Sequence, residues 1–404
     1  MKSIFVQIAS YRDPELIPTL NSLLENAKYP DHLTICIAHQ HSKEDPWDSL
    51  ALFHQDKRFI IIDIPCEDSQ GTCWARNQVQ QHYNNQDYTL QLDSHHRFVK
   101  DWDEILINTL VDLQQKGHPK PLLTTYLPSY SPDSDKREPK PWGMSFDKFT
   151  PEGVVFFLPY AIDEKLNSPR PARFYSAHFA FTLGIFCKEV PHDPLFYFHG
   201  EEITIAVRAY TWGYDLFHPH ILIAWHEYTR QGRAKHWDDH QDWVTQNDVA
   251  YSRTRMLLGI DQEICSPCSK KTFTGYDLGE ERSLKDYEQY SGIRFRDRAV
   301  QPSTLNNNLP QKRTEPYVNK VNYNFRFYKS SFQNTDYVFV AVILEDKQGK
   351  EIYRKDFQKD TIQQWYLQDI INIELEYMGS LPYKWVVWPY SLKNKWVDRI
   401  EHII

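Results

Sequence analysis

TLQLDSHHRF, residues 89–98, is the stretch on which the fold turns. Its first four residues alternate as a buried β-strand should, and the strand then runs into Asp93, Ser94, His95, His96 and Arg97. One charged residue at a strand end is ordinary. A carboxylate and an imidazole two positions apart, leaving the sheet on the same side, look like two arms of a metal site.

Outward from this strand the chain alternates between two periods. SIFVQIAS (3–10), LTICIAH (33–39), FIIIDIP (59–65) and YTLQLD (88–93) read as strands. DPELIPTLNSLLENA (13–27) and TCWARNQVQQHY (72–83) read as helices. Strands and helices in this order predict an α/β domain, a mostly parallel sheet covered on both faces. Ligands of such sheets sit at the carboxyl ends of the strands, where IASYRDPE (8–15) and DSHHRF (93–98) would meet. Further on, HGEEITIAVRAYTWGYDLFHPHILIAWHEYTR (199–230) predicts a helix from about Glu201 to Trp212, ended by Gly213, and then a strand up to Trp225. His226 and Glu227 follow that strand. YLPSYSPDSDKREPKPWG (126–143) reads as a long surface loop that covers or borders the site.

With 404 residues, the chain predicts a large domain plus a smaller one. DRAVQPSTLNNNLPQKRTEPYVNK (297–320) has the composition of a linker, which divides the chain into 1–296, a linker at 297–314 and a β-rich accessory domain at 315–404. The last segment carries alternating strands, YNFRFYKS, DYVFVAVILED, EIYRKDF, NIELEYM and KWVVWPY, the pattern of a small β-sandwich. Its Trp365, Tyr366, Tyr377, Trp385, Trp388 and Tyr390 either fill that sandwich or form a sugar-binding platform.

Formal net charge is −8, which gives no electrostatic case for nucleic acid as partner. No apolar run reaches the roughly 18 residues of a transmembrane segment, and MKSIFVQIAS lacks the pattern of a secretory signal. Cys36, Cys66, Cys73, Cys187, Cys265 and Cys268 are too scattered for a disulfide framework, so a cytoplasmic location is expected. CSPC (265–268) reads as a turn with two thiols rather than half of a zinc site. Oligomeric state is not legible.

Asp93, His95 and His226 together offer one carboxylate and two imidazoles, a set that suits Mn²⁺ or Mg²⁺ with positions open for phosphate oxygens. An ion bridging two phosphates lets a nucleoside diphosphate leave by neutralising the departing charge. Taken singly, each histidine reads first as capping a strand end or hydrogen-bonding in the core. Glu201 and Glu202 occupy the first turn of a helix, where the macrodipole favours acids; one of them could also reach the site as a catalytic group. Arg76, on the helix after Gly71, either approaches the diphosphate or makes a surface salt bridge. Ala9, Ser10, Tyr11 and Arg12, directly after the first strand, suit contacts to a base and ribose, and Ser94 joins them between the two metal arms. A loop that ends in an N-cap Asp13 would look similar.

QIASYRDPEL, GTCWARN, LDSHHRF, HGEEITIAVRAYTWGYDLFHP and WHEYTR, in this order, resemble the cytoplasmic polypeptide α-N-acetylglucosaminyltransferases that modify hydroxyproline, together with their bacterial members. The resemblance covers roughly residues 1–295. More distantly, DSH, GEEITIAVRAYTWG and the WH at 225–226 are similar to the polypeptide N-acetylgalactosaminyltransferases. The resemblance implies a GT-A fold, Asp93, His95 and His226 as metal ligands, Glu201 as the helix-start acid and Arg76 near the nucleotide. It implies a metal-dependent, retaining transferase that takes a sugar, GlcNAc first, from a UDP-sugar donor to a hydroxyl on a protein or glycan acceptor. A bacterial surface-glycan transferase with another UDP-sugar, or a non-catalytic carbohydrate-binding protein on a decayed transferase, are the alternatives. Two positions depart from the family pattern: His96 stands where DSHMRF has Met, and His178 where SAGF has Gly.

Overall fold

The computed structural model describes residues 2–134, 136–150, 152–162, 166–229, 233–260, 273–379 and 381–404. CSPC at 265–268 lies outside the described residues. The chain divides into two compact units, Met1–Glu315 and Pro316–Ile404.

The first unit opens with β1 (Ile4–Tyr11), α1 (Leu16–Asn26), β2 (Leu33–His41), β3 (Phe59–Pro65), α2 (Thr72–Gln80) and β4 (Tyr88–Leu92). Next come β5 (His96–Phe98), α3 (Trp102–Gln115), β6 (Pro121–Thr124), β7 (Trp142–Phe149), β8 (Val155–Ala161) and β9 (Arg170–Pro171). It continues with β10 (Phe179–Leu183), α4 (Phe186–Glu189), α5 (Glu201–Thr211), β11 (Asp215–His218), β12 (Ala224–His226), α6 (His236–Asp239) and α7 (Trp243–Leu258). The unit closes with α8 (Leu284–Ser291), β13 (Ile293–Arg294), β14 (Ala299–Val300) and α9 (Pro302–Leu305).

Eight strands form one sheet in the order β3-β2-β1-β4-β10-β6-β11-β9. β1 to β4 run parallel, β10 lies antiparallel to both β4 and β6, and β6 and β11 are again parallel. This is the α/β class expected from the sequence. Alternation along β1 sends Ile4, Val6 and Ile8 into one core, with Leu16, Leu20 and Leu23 of α1, and Phe5 into another, with Ala75 and Val79 of α2. The buried positions of α1, Leu16, Thr19, Leu20 and Leu23, fall at helical spacing, so one stripe of the helix seals one face of the sheet.

The strand expected to run up to Trp225 is two strands. Pro219, without an N–H, follows the end of β11, and the chain resumes as β12, which leaves the main sheet and pairs antiparallel with β5. The 126–143 loop is as irregular as expected up to Trp142, where β7 begins.

The stretch 297–314, expected as a linker, begins as folded chain. β14 pairs with β13, and Gln301, Ser303 and Thr304 are buried. Thr304 Oγ1 donates to the Ser291 carbonyl at 2.7 Å, and Ser303 N–H to the Glu315 carboxylate at 3.0 Å. Its polar composition, which mimics a linker, serves here to satisfy buried backbone groups.

The second unit contains β15 (Val318–Tyr328), β16 (Tyr337–Glu345), β17 (Glu351–Gln358), α10 (Lys359–Trp365), β18 (Ile370–Gly379), β19 (Lys384–Ser391), β20 (Lys395–Trp396) and β21 (Ile400–Ile403). β15 and β18 pair antiparallel, and β16 lies between β17 and β19. Val340, Val342 and Leu344 meet Ile371, Ile373 and Leu375 in a core that also takes in Trp365, Tyr377 and Trp385, so these three rings are filling. Trp388 and Tyr390 are half-buried and gather instead around Trp396, at 4.3 and 5.2 Å between ring centroids. Among the described residues no helix is long and apolar enough to cross a membrane.

Gly200 determines how α5 begins. Its φ is +91°, and a Cβ there would lie 2.0 Å from Thr254 Oγ1. Gly200→Ala should therefore lower stability by about 1–3 kcal/mol, read as a lower urea midpoint at unchanged slope. An unchanged midpoint would show that α5 tolerates another start.

Candidate active site

A cavity of about 430 Å³ opens at the carboxyl end of β1 and β4, and Asp93, His95 and His226 line it together with Arg76, Glu201 and Glu202. The backbone brings the first three together. His226 lies opposite His96 in the β5–β12 ribbon, His226 N–H donates to the Pro128 carbonyl at 3.0 Å, and Glu227 N–H donates to the His95 carbonyl at 3.2 Å. One candidate ligand atom from each of Asp93, His95 and His226 lies within 4.8 Å of the others. Asp93 Oδ2 is 3.5 Å from His226 Nε2 and 3.8 Å from His95 Nε2.

The donor chemistry fits a divalent ion. His95 Nε2 and both ring nitrogens of His226 are buried without a hydrogen-bond partner among the described residues. His95 Nδ1–H donates to Asp13 Oδ2 at 2.6 Å, which leaves the Nε2 lone pair facing Asp93. A carboxylate behind an imidazole is the usual way a metal-binding histidine is held in one tautomer. Asp13 also accepts from Ser94 Oγ at 2.6 Å and pairs with Arg233 at 3.1 Å. Burial pushes the Asp13 carboxyl up, but the His95 bond and the Arg233 charge outweigh it and hold it well below the usual carboxylate range.

Arg76 occupies the centre of a buried triad with two acids. Its Nη2 donates to Asp93 Oδ1 at 2.7 Å and its Nη1 to Glu201 Oε1 at 2.8 Å. Glu202 turns the other way: Oε1 accepts from Ala177 N–H at 2.9 Å and Oε2 from the Tyr126 hydroxyl at 3.0 Å. Burial pushes both acids up, Glu201 to about 8 against the pull of Arg76 and Glu202 to about 7 against its hydrogen bonds.

The remaining residues named from the sequence divide. Ala9, Tyr11 and Ser94 line the cavity; Ser10 and Arg12 do not. Ser10 is fully buried in β1. Arg12, at φ +46°, pairs with Asp45 at 2.6 Å and Asp239 at 3.0 Å. Sequence reasoning treated Asp13 only as a cap and passed over Tyr126, Arg233, His236 and Trp237, which also line the cavity. The spacing from Asp13 to His95 carries no local signal, whereas Tyr126 lies at the start of the loop already expected to border the site.

His178 and His96, the two departures, pack onto His226 at 4.2 and 5.0 Å between ring centroids. His178 Nε2 accepts from Leu127 N–H at 3.0 Å. Burial holds His96, His178 and His226 well below the usual imidazole value, helped by their neighbouring histidines.

The chain belongs to the family Glycosyltransferase (GlcNAc), whose model matches residues 3–57 and 48–297. Its first unit is the α/β class expected, built on a largely parallel sheet, and its second unit is the expected β-rich segment. Among solved structures it is similar to GalNAc-T7 with UDP, GalNAc and Mn²⁺, at 14% identity and TM-score 0.48 over 69% of this chain and 55% of that one. It is also similar to S. aureus TarS 1-349 in complex with UDP-GlcNAc, at 12% identity and TM-score 0.38 over 61% and 64%. A third is mannosyltransferase PcManGT from Pyrobaculum calidifontis in complex with GDP-Man and Mn²⁺, at 10% identity and TM-score 0.35 over 58% and 59%. The chain thus spans about half the length of the GalNAc-T7 structure. No curated protein matches it.

The neutral histidines make metal-free stability pH-dependent. Their folded values lie below the unfolded one near 6.5, so the stability they contribute is present above about pH 6.5 and is lost as pH falls. Each should cost about 1 kcal/mol over the first unit below 6.5. Urea midpoints of the chelator-treated chain should fall between pH 7 and 5.5, less steeply in His178→Ala; equal slopes would show that His178 protonates freely in the folded state.

Proposed function

We propose that the chain is a metal-dependent, retaining glycosyltransferase that moves a sugar, GlcNAc in the first instance, from a UDP-sugar to a hydroxyl on a protein or glycan. Membership of a family described by GlcNAc supports the donor. The observation that carries the chemistry is the convergence of two buried imidazoles on the Asp93 carboxylate beside the Arg76–Glu201 pair.

Asp93, His95 and His226 would hold Mn²⁺ or Mg²⁺. When bound, the ion supplies positive charge against the departing diphosphate. Asp13 fixes the tautomer of His95. Arg76 keeps Asp93 ionised and adds a second cation beside the phosphates. Tyr11, Phe198 and Trp237 give the cavity aromatic walls suited to the faces of a base or a sugar. Ala9 and Ser94 lie where a ribose would pass.

In the transfer, the acceptor oxygen bonds to the sugar carbon on the face from which UDP departs. The carbon–oxygen bond to the β-phosphate breaks, and the hydroxyl proton passes to that phosphate, so no side-chain nucleophile is needed. Glu201, with its pKa near neutrality, is able to accept or give a hydrogen bond to the acceptor hydroxyl. Glu202 has both oxygens engaged and holds Tyr126 and the 177 backbone in place.

Calorimetric titration of UDP with and without Mn²⁺ tests the reading. UDP binding should require the ion and weaken at least ~10-fold in both Asp93→Ala and His226→Ala. A variant that binds UDP with Mn²⁺ like the parent is not a ligand variant.

The two acids should separate kinetically. Glu201→Gln should lower turnover about 100-fold with UDP affinity kept, and Glu202→Gln less. Equal small effects would reduce both to helix-terminus acids.

A further inference from the structure

A second set of metal-binding side chains lies outside the cavity. His39 and His41 stand two apart in β2 and so leave the same face of the sheet. Asp63 of β3 is in parallel register with His39. One nitrogen of each imidazole and one oxygen of Asp63 lie within 4.8 Å of one another, and the two rings stack at 4.9 Å between centroids. Asp48, from the segment between β2 and β3, lies outside that set and faces His39, its Oδ1 3.0 Å from His39 Nε2. Asp63 Oδ1 is 2.8 Å from His41 Nε2.

These close approaches do not have the alignment of hydrogen bonds. Both Nε2 atoms and both oxygens of Asp48 are buried without a hydrogen-bond partner among the described residues. His39 is 4% exposed and Asp48 5%. A buried imidazole such as His39 with a nitrogen lacking a hydrogen bond is uncommon in folded chains, and one cation among His39, His41 and Asp63 would give them a common partner. Nothing in the sugar-nucleotide reading uses them: none of the four lines the cavity.

We propose that His39, His41 and Asp63 bind a divalent transition-metal ion, Zn²⁺, independently of the sugar-nucleotide site. Two imidazoles with carboxylate oxygens are a zinc donor set, whereas Mg²⁺ and Ca²⁺ favour oxygen ligands alone. The Asp63 side chain, 68% exposed, and that of His41, 24% exposed, give the ion a route in from solvent. Through His39, which Asp48 faces, the ion steadies the segment between β2 and β3. Three residues earlier Asp45 of that segment holds Arg12, next to the cavity-lining Tyr11.

The test uses the full chain carrying Asp93→Ala and His226→Ala, so that the other cluster is disabled. After chelator treatment it is titrated with Zn²⁺ against a chromophoric competitor, and separately with Co²⁺ followed by visible absorption. Expected is a Zn²⁺ equivalent that becomes at least ~10-fold weaker on adding His41→Gln and again on adding His39→Gln, with loss of the four-coordinate Co²⁺ bands. Asp63→Asn, at the exposed rim, supplies a variant that leaves the core untouched. Zinc affinity and cobalt spectrum unchanged in both His41→Gln and Asp63→Asn would overturn the proposal, as would the absence of any zinc binding before those changes. Mn²⁺-dependent UDP binding by the unmodified chain is a separate readout, so the two readings fail separately.

Discussion

The guanidinium of Arg76 lies between the carboxylates of Asp93 and Glu201, in a position with little access to water. Three elements, α2, the end of β4 and the first turn of α5, are tied together by this one cation. Such a triad is costly to desolvate, and removing one partner from a buried pair leaves an uncompensated charge worth about 3–5 kcal/mol. The arrangement therefore serves less to stabilise than to fix positions. With Arg76 on Oδ1, Asp93 presents Oδ2 to the two imidazoles, and Glu201 faces the cavity rather than solvent.

Around this triad, carboxylates hold cations and imidazoles in sequence. Asp13 orients His95 and takes Arg233, and Arg233 in turn reaches Glu227, the neighbour of His226, at 2.7 Å. The β5–β12 ribbon sets the backbone of the two histidine-bearing segments side by side. His96 and His178 occupy the space behind His226, so the ring that would bind metal is held by packing on one side and faces Asp93 with Nε2. A glycine at 178 would leave that packing, and the support of Leu127 N–H, absent.

The zinc site proposed on β2 and β3 follows the same logic at another place on the sheet. Paired strands place side chains two apart on one face and in register with a neighbour, so a short His-x-His beside an Asp becomes a three-point cluster without any special loop. Asp48, from the connection that follows β2, faces His39 and backs the cluster.

What the sequence determined by itself is what depends on local period and on strand ends: the α/β alternation, the five long strands of the C-terminal unit, the helix from Glu201, and Asp93 with His95 two apart. These signals survive because side-chain direction is set by neighbours in the chain. The tertiary structure alone decided that the strand before His226 breaks at Pro219 and joins β5, that Arg76 bridges two acids, and that Asp13 serves His95 across 82 positions. It also drew Gln301, Ser303 and Thr304 of the expected linker into the first unit, and turned Ser10 and Arg12 away from the cavity that their neighbours line. Each of these depends on which face of a strand is covered and on which buried charge finds a partner, and both are settled only when distant segments close on one another.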